Sequence, residues 1–325
     1  MRAYLIRRLL QIIPVFFGIL VLIFLIIELS PGGPTGNFMD PRMTAEHRAE
    51  LAERFGLNDP MPVRFFKWVT NALQGDFGRS VRYQRPVIDV LRPMIGPTLA
   101  LSSLALLIAM LIAMLIGIPT GIIGATKQYS VTDNSLTVFS LIGICMPSFF
   151  FALVLLMLFS VRLGWFPLFG LVNPLYTPPN SMAAFLHRLW HLTLPAIVMG
   201  LGSTATFMRY TRSSMLEVIK SDYIRTARAK GLKEKVVIYR HAFRNAVIPI
   251  ITLLGFWIPG LLSGAIVTES IFGLPGLGKI AVDAVGYRDY PIILAVTTML
   301  AILTLLGTII ADIFYAIADP RIKYD

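Results

Sequence analysis

Six stretches of this chain are apolar over lengths suited to crossing a hydrocarbon layer, which takes about 20 residues of helix. They run over Leu9–Leu29, Thr98–Ile123, Ser135–Val161, Leu192–Phe207, Ala246–Ile271 and Pro291–Ile317, the fourth being the shortest. Hydrocarbon offers no partner to a backbone N–H or C=O, so runs of this length fold as helices. Composition agrees: 56% of residues are hydrophobic and 14% are charged, against roughly a quarter charged in soluble domains. The fold class expected is therefore an all-α membrane protein with six transmembrane helices.

The first run follows Arg2, Arg7 and Arg8 and ends at Ser30-Pro31-Gly32-Gly33. It exceeds the apolar core of about 7–15 residues in a cleavable signal, so it reads as an uncleaved first helix. The single cysteine, Cys145, lies inside a span and is expected to be a buried small hydrophobe.

The net charge of +11 could point to nucleic acid, but its placement does not. Residues 210–245, from Tyr210 to Asn245, carry nine basic side chains against three acidic ones, a net of +6. Short loops rich in Lys and Arg stay in the cytoplasm. The basic N-terminus, this loop and the end with Arg321 and Lys323 then share the cytoplasmic side, as an even number of helices requires. In the outer turn near Gly273–Tyr290, Lys279 and Arg288 are balanced by Asp283 and Asp289.

The chain divides into 1–30 (cytoplasmic end and first span), 31–97 (extracytoplasmic segment) and 98–325 (five spans with the loop 210–245). In the outer segment Thr44 can cap a helix running to Phe55 and Gly56. A second helix is expected from Pro62 to Leu73, ended by Gly75, with Val63, Phe66, Val69 and Leu73 on its apolar side. Trp165 and Trp190 suit the membrane–water boundary. Gly117-x-x-x-Gly121 and Gly260-x-x-x-Gly264 would let helix backbones approach closely.

Ion-driven carriers keep ionisable groups near the membrane midplane. Here Glu28, Glu269 and Asp312 lie toward span ends, so energy is expected to enter from elsewhere. Gly273-Leu274-Pro275-Gly276-Leu277-Gly278-Lys279 has phosphate-loop spacing, but Ile280 follows where Mg²⁺ ligation needs Ser or Thr. It reads as a tight outer turn opening a short re-entrant helix. His187 and His191 could face one way on a helix, yet no third ligand lies nearby, so they read as interfacial histidines. No triad or Cys–His order invites an enzymatic reading.

Within the basic loop, Ser221 or Asp222 is a good helix N-cap and Gly231 a good residue just past the C-terminus. Asp222 and Lys230 each match the dipole at their end. Ala227 and Ala229 leave little bulk, which would let a partner come close. Tyr223 shares a face with Ala227, and Arg225 with Arg228. Three readings stay open on physics alone: a helix lying on anionic lipid, a solvated connection, or a lever docked in a protein groove.

Asp222-Tyr223-Ile224-Arg225-Thr226-Ala227-Arg228-Ala229-Lys230-Gly231, followed by His241-Ala242-Phe243-Arg244-Asn245-Ala246 and Pro249, resembles the coupling-helix region of the dipeptide/oligopeptide/nickel permeases of ABC importers. Further matches are Gly75-Asp76-Phe77-Gly78, Met146-Pro147-Ser148-Phe149, Arg212-Ser213-Ser214-Met215, Glu269-Ser270-Ile271-Phe272, Arg288-Asp289-Tyr290-Pro291 and Asp319-Pro320-Arg321. The pattern resembles the first, B-type subunit over almost the whole chain. The general importer signature has Glu-Ala where Arg225-Thr226 stand, a departure the peptide branch shares.

The resemblance implies a type I ABC importer permease fold and a non-catalytic transport subunit of a bacterial or archaeal cytoplasmic membrane. It implies a second, C-type permease, two ABC ATPases that bind ATP and Mg²⁺, and an extracytoplasmic substrate-binding protein. It implies no cofactor or metal on this chain. Ser221, Asp222, Tyr223, Arg225, Thr226, Ala227, Arg228, Ala229 and Gly231 would dock the ATPase, and Glu269, Phe272, Pro275, Gly276 and Gly278 would face the binding protein. Di- or oligopeptide is the implied cargo, with nickel chelates or another solute next. A carrier driven by an ion gradient is the alternative class.

Overall fold

The computed structural model describes residues 2–30, 59–247, 249–250 and 265–318. The expected helix Thr44–Phe55, the pair Gly260 and Gly264, and the centre of the fifth expected span lie outside the described residues. Four described helices are long and apolar enough to cross a membrane, or five with one bent pair counted as a single span. Among the described residues there is no strand, only an isolated bridge between Arg79 and Pro86.

Helix α1 covers Arg2–Glu28 and α2 covers Met61–Leu73. Helix α3 runs Val87–Thr126 through a π-helical turn at Ala113–Gly117. Helices α4 (Val131–Cys145) and α5 (Ser148–Arg162) are bent by 100° at Met146-Pro147. The third expected span is therefore broken: Pro147 has no N–H for the carbonyl four residues back, and Met146 and Pro147 are both extended. Helix α6, Ser181–Ile219, is about 58 Å long at 1.5 Å per residue. The shortest expected span is thus the middle of one of the longest helices, because polar turns at both ends carry it beyond the apolar run. Then follow α7 (Asp222–Ala229), α8 (residues 234–246, with a π-helical middle), α9 (Leu277–Gly286) and α10 (Tyr290–Ala318).

Helix α6 forms the axis, packed on α3 along most of its length. Glycines set that approach. A Cβ at Gly121 would stand 2.6 Å from Cβ of Thr211 and 2.7 Å from the Met208 carbonyl. At Gly117 it would stand 3.1 Å from Cβ of Phe207, and at Gly200 of α6 it would stand 3.0 Å from the Ala109 nitrogen. The expected small-residue contact at Gly117 and Gly121 is therefore a true helix crossing.

The N-terminal hairpin wraps α10. Leu20, Phe24 and Ile27 pack with Phe65, Tyr290 and Leu294. Glu28 pairs with Arg64, which turns α2 so that Phe65 meets Phe17 and Phe24 edge to face. The inward face of α2 is consequently Met61, Phe65, Trp68 and Val69; of the face expected from sequence, Val63, Phe66 and Leu73 are exposed. Arg8 and Asp312, 3.4 Å apart, place the start of α1 beside the far end of α10. Cys145 also departs from expectation. It is exposed, while its neighbour Gly143 is the residue of that turn set against Ala205 of α6.

Gly121→Val should drive α3 off α6 at a position with no slack, costing about 1–3 kcal/mol. Thermal unfolding of the detergent-purified protein checks this. Gly18→Ala, with nothing within 4 Å of its Cβ, is the control and should leave the midpoint unchanged.

Candidate functional site

The bounded helix in the basic loop exists, and two of its residues act differently from expectation. Ser221 holds the N-cap position, but its hydroxyl donates to the Val218 carbonyl at 2.6 Å and so closes α6. Its carbonyl accepts from the N–H groups of Ile224 and Arg225 at 3.1 and 3.3 Å, starting α7 in the same residue. At the other end Gly231 adopts φ +73° and donates to the Arg228 carbonyl at 2.9 Å. A left-handed residue here is the ordinary use of glycine after a helix.

Ile224 and Ala227 are buried among Ile122, Ala125, Met215, Val237, Ile238 and Ala242. This corrects the expectation for Ala227. Its methyl seats α7 on the chain's own base, so a bulky Ala227 variant would unseat the helix. The outward face is Asp222, Tyr223, Arg225, Thr226, Arg228 and Ala229. Tyr223 accepts through its hydroxyl from Asn245 Nδ2 at 2.8 Å, joining the two motif halves. Arg225 touches its own Asp222 only at 3.4 Å, with both side chains largely exposed. Such a pair contributes little to stability and leaves the guanidinium available.

Arg228 donates to both carboxylate oxygens of Glu234, at 2.7 and 3.2 Å. This bond holds the Glu234 carboxyl below its ordinary range and raises Arg228. A depressed carboxyl stabilises above its unfolded pKa, so the tie between α7 and α8 weakens only as pH falls through the lowered value.

Sequence reading missed the strongest polar contact at this end. Asp133, 1% exposed, receives Arg212 Nε at 2.6 Å and Nη2 at 2.7 Å. Tyr129 N–H adds a bond at 2.9 Å. The pair locks α4 to α6 just before α6 delivers α7. Gly124 lets it close, since a Cβ there would stand 3.1 Å from Asp133 Oδ1. Arg212 had counted as a loop cation, and Asp133 lay just outside an expected span. A lone acid beside an apolar run, with Arg in the next loop, was the available signal.

The turn over residues 273–279 is built around Glu269, 1% exposed. Its Oε1 accepts from Thr98 Oγ1 at 2.6 Å, and its Oε2 accepts from the N–H groups of Gly278 and Lys279 at 2.6 and 3.0 Å. Thr98 Oγ1 accepts from Leu277 N–H at 2.8 Å. The first N–H groups of α9 are thereby satisfied from inside the chain. The phosphate-loop-like sequence does form an anion-holding helix start. Its anion is the protein's own carboxyl.

The glycines follow from this. A Cβ at Gly276 would lie 2.3 Å from Glu269 Cδ, and one at Gly278 would lie 2.4 Å from Cα of Ile266. Glu269, Phe272, Gly276 and Gly278 are buried, and only Pro275 of the expected outward set is partly exposed. The four cannot themselves touch a partner; they shape the turn.

Neighbouring pieces rest on that turn. Gly170 N–H donates to the Phe272 carbonyl at 2.9 Å, and the Gly170 carbonyl meets His191 Nδ1 at 2.8 Å. His187 Nε2 accepts from Asn173 N–H at 3.0 Å. Both histidines thus hold the outer loop. Asp289, also missed, accepts from Ser80 Oγ at 2.5 Å and from Arg82 N–H at 3.0 Å, fixing residues 79–86 to the start of α10.

A family model described as binding-protein-dependent transport system inner membrane component matches residues 117–324. The chain is 46% identical over 325 residues, all of both chains, to the oligopeptide transport system permease protein AppB of Bacillus subtilis (strain 168). It is 40% identical to the dipeptide transport system permease protein DppB of Alkalihalophilus pseudofirmus, again over all of both chains. It is 36% identical to the glutathione transport system permease protein GsiC of Escherichia coli (strain K12), covering 99% of each. Among solved structures, the inward-facing MetNI methionine ABC transporter shares the fold with a TM-score of 0.53 and 16% identity, over 71% of this chain and 97% of that one.

Gly278→Ala should force Ile266 and Glu269 apart and cost about 1–3 kcal/mol. Glu269→Ala should leave buried N–H groups unpaired at a cost of about 1–3 kcal/mol. Thermal unfolding of the purified protein tests both, and an unchanged midpoint in either would contradict the internal cap.

Proposed function

The chain belongs to the binding-protein-dependent transport system inner membrane component family, and on that premise we propose that it is the B-type permease of an ATP-driven peptide importer. It forms half of the translocation path beside a second, C-type permease. Two separate ATPase chains bind ATP and Mg²⁺, and an extracytoplasmic binding protein delivers the cargo. The names of the relatives support di- or oligopeptide as that cargo.

The observation that carries this reading is α7. It is short, firmly bounded, seated by Ile224 and Ala227, and exposed along Tyr223, Arg225, Thr226 and Ala229. A solvated connection needs no such seat. A membrane-surface helix would turn its apolar residues to lipid, whereas here they face the protein. What remains is a rigid element offering a mixed polar surface to a protein groove. Its seat reaches α3 through Ile122 and α6 through Met215, so force on α7 is delivered to the two longest helices.

The orientation we propose draws support from the same parts. The contact of Arg8 with Asp312 supports both ends of the chain lying on one side. Val87, Val90 and Leu91 at the start of α3 pack beside Ile292 near the start of α10, so α3 delivers residue 126 to the side of the termini. The net positive loop supports a cytoplasmic place for that side. The turn at Glu269 and the 79–86 hairpin then face outward.

Thr226→Trp places bulk on the exposed face of α7 without touching its seat. In the purified complex it should lower both peptide uptake and ATPase stimulation by loaded binding protein at least tenfold. Wild-type values for both would overturn the docking role.

A further inference from the structure

The break between α4 and α5 leaves a cavity of about 470 Å³ against α6. Its lining includes Gly143, Met146, Ser148, Phe151, Gly202 and Thr206. Irregular backbone at membrane depth persists only where protein covers it or where it lines a wet cavity. Met146 and Pro147 are such backbone, midway along the bent pair Val131–Arg162. In secondary transporters, discontinuous helices form the sites that substrates occupy, and the broken pair here has the same kind of irregular backbone.

The chemistry of the lining selects an occupant. Among the described residues that line the cavity none carries a charge, so it offers nothing to a metal chelate or to free chain termini. It offers two glycine backbones, the hydroxyls of Ser148 and Thr206, and the apolar surfaces of Met146 and Phe151. A Cβ added at Gly202 would meet nothing within 4 Å, so the space reaches the α6 backbone itself. The volume lies in the range of about 300–1,000 Å³ typical of small-molecule sites. Uncharged walls with two hydroxyls and open space at Gly202 suit a chain of amide groups whose side chains vary.

We propose that this cavity, at the junction of the α4–α5 break with α6, holds the peptide backbone of cargo in transit. The assignment rests on the peptide-importer reading above. It makes Gly202 and Thr206 path-lining residues, with Met146 as an adaptable wall.

The test uses the assembled importer with its binding protein, reconstituted in liposomes, in a Cys145→Ala background that lacks the chain's single cysteine. Thr206→Cys is treated with the charged, membrane-impermeant thiol reagent MTSET. Leu115→Cys, at an outward position of α3 that is 74% exposed, is the control. Thr206→Cys should react at least tenfold faster than Leu115→Cys, and trialanine should slow that reaction severalfold during turnover. Gly202→Trp should lower trialanine uptake at least tenfold while Gly202→Ala retains it. A Thr206→Cys rate no higher than that of Leu115→Cys would mean a dry, lipid-filled pocket and would overturn the proposal. Fast labelling that trialanine does not slow, in a complex that does import trialanine, would place the cavity off the path and also overturn it. A wild-type complex that imports no peptide would instead remove the cargo reading, and the occupant with it.

Discussion

The close crossing of α3 and α6 is the contact on which the rest of the structure depends. Lipid tails are as apolar as leucine, so helices in a membrane gain no hydrophobic drive to associate. Association must come from backbones near enough for dispersion and weak polar contacts to accumulate. Gly117, Gly121 and Gly200 supply that proximity, where a Cβ would collide at Gly121 and Gly200 and be crowded at Gly117. Once α3 and α6 are fixed, one end of the pair supports the seat of α7, and α3 carries Thr98 to Glu269 at the other end.

Each end is then locked by a buried carboxyl. Asp133 takes Arg212 at one, and Glu269 takes Thr98 and the start of α9 at the other. In both places glycine makes room for the carboxyl: Gly124 beside Asp133, Gly276 and Gly278 beside Glu269. Removing one partner of a buried, hydrogen-bonded pair costs far more than the pair itself contributes, since the survivor is left uncompensated. Such locks therefore fix geometry more than they add stability. Both ends of the α3–α6 pair thereby keep a fixed shape.

Much of this was legible in the sequence, and the limits have physical causes. Helical spans announce themselves because hydrocarbon enforces length and polarity together. The bounds of α7 were legible because Ser221, Asp222 and Gly231 have strong positional preferences. The inward turn of Ala227 was not, because an alanine on a short helix fits either side and only α3, α6 and α8 decide which. Glu269, Phe272, Gly276 and Gly278 looked like a loop surface because sequence shows a carboxyl beside glycines but not the partner at Thr98, 171 positions away. The break in the third span had only a weak signal in Pro147, because Pro14, Pro93, Pro97 and Pro195 sit inside helices that continue through them.

The internal cap at Glu269 also bears on how the chain is made. Its three hydrogen-bond donors belong to Thr98, synthesised long before it, and to Gly278 and Lys279, synthesised just after. Until α9 leaves the ribosome, the carboxyl sits at the end of an apolar run with its nearest donors still missing. An acidic group at the centre of a membrane helix opposes insertion by about 2.5–3.5 kcal/mol on biological scales. Its place near the end of the run moderates that opposition. The cap can close only once the turn after Glu269 is completed. The same carboxyl that fixes the finished turn thus ties the last third of the chain to Thr98 in its first third, so the junction closes only when both are in place.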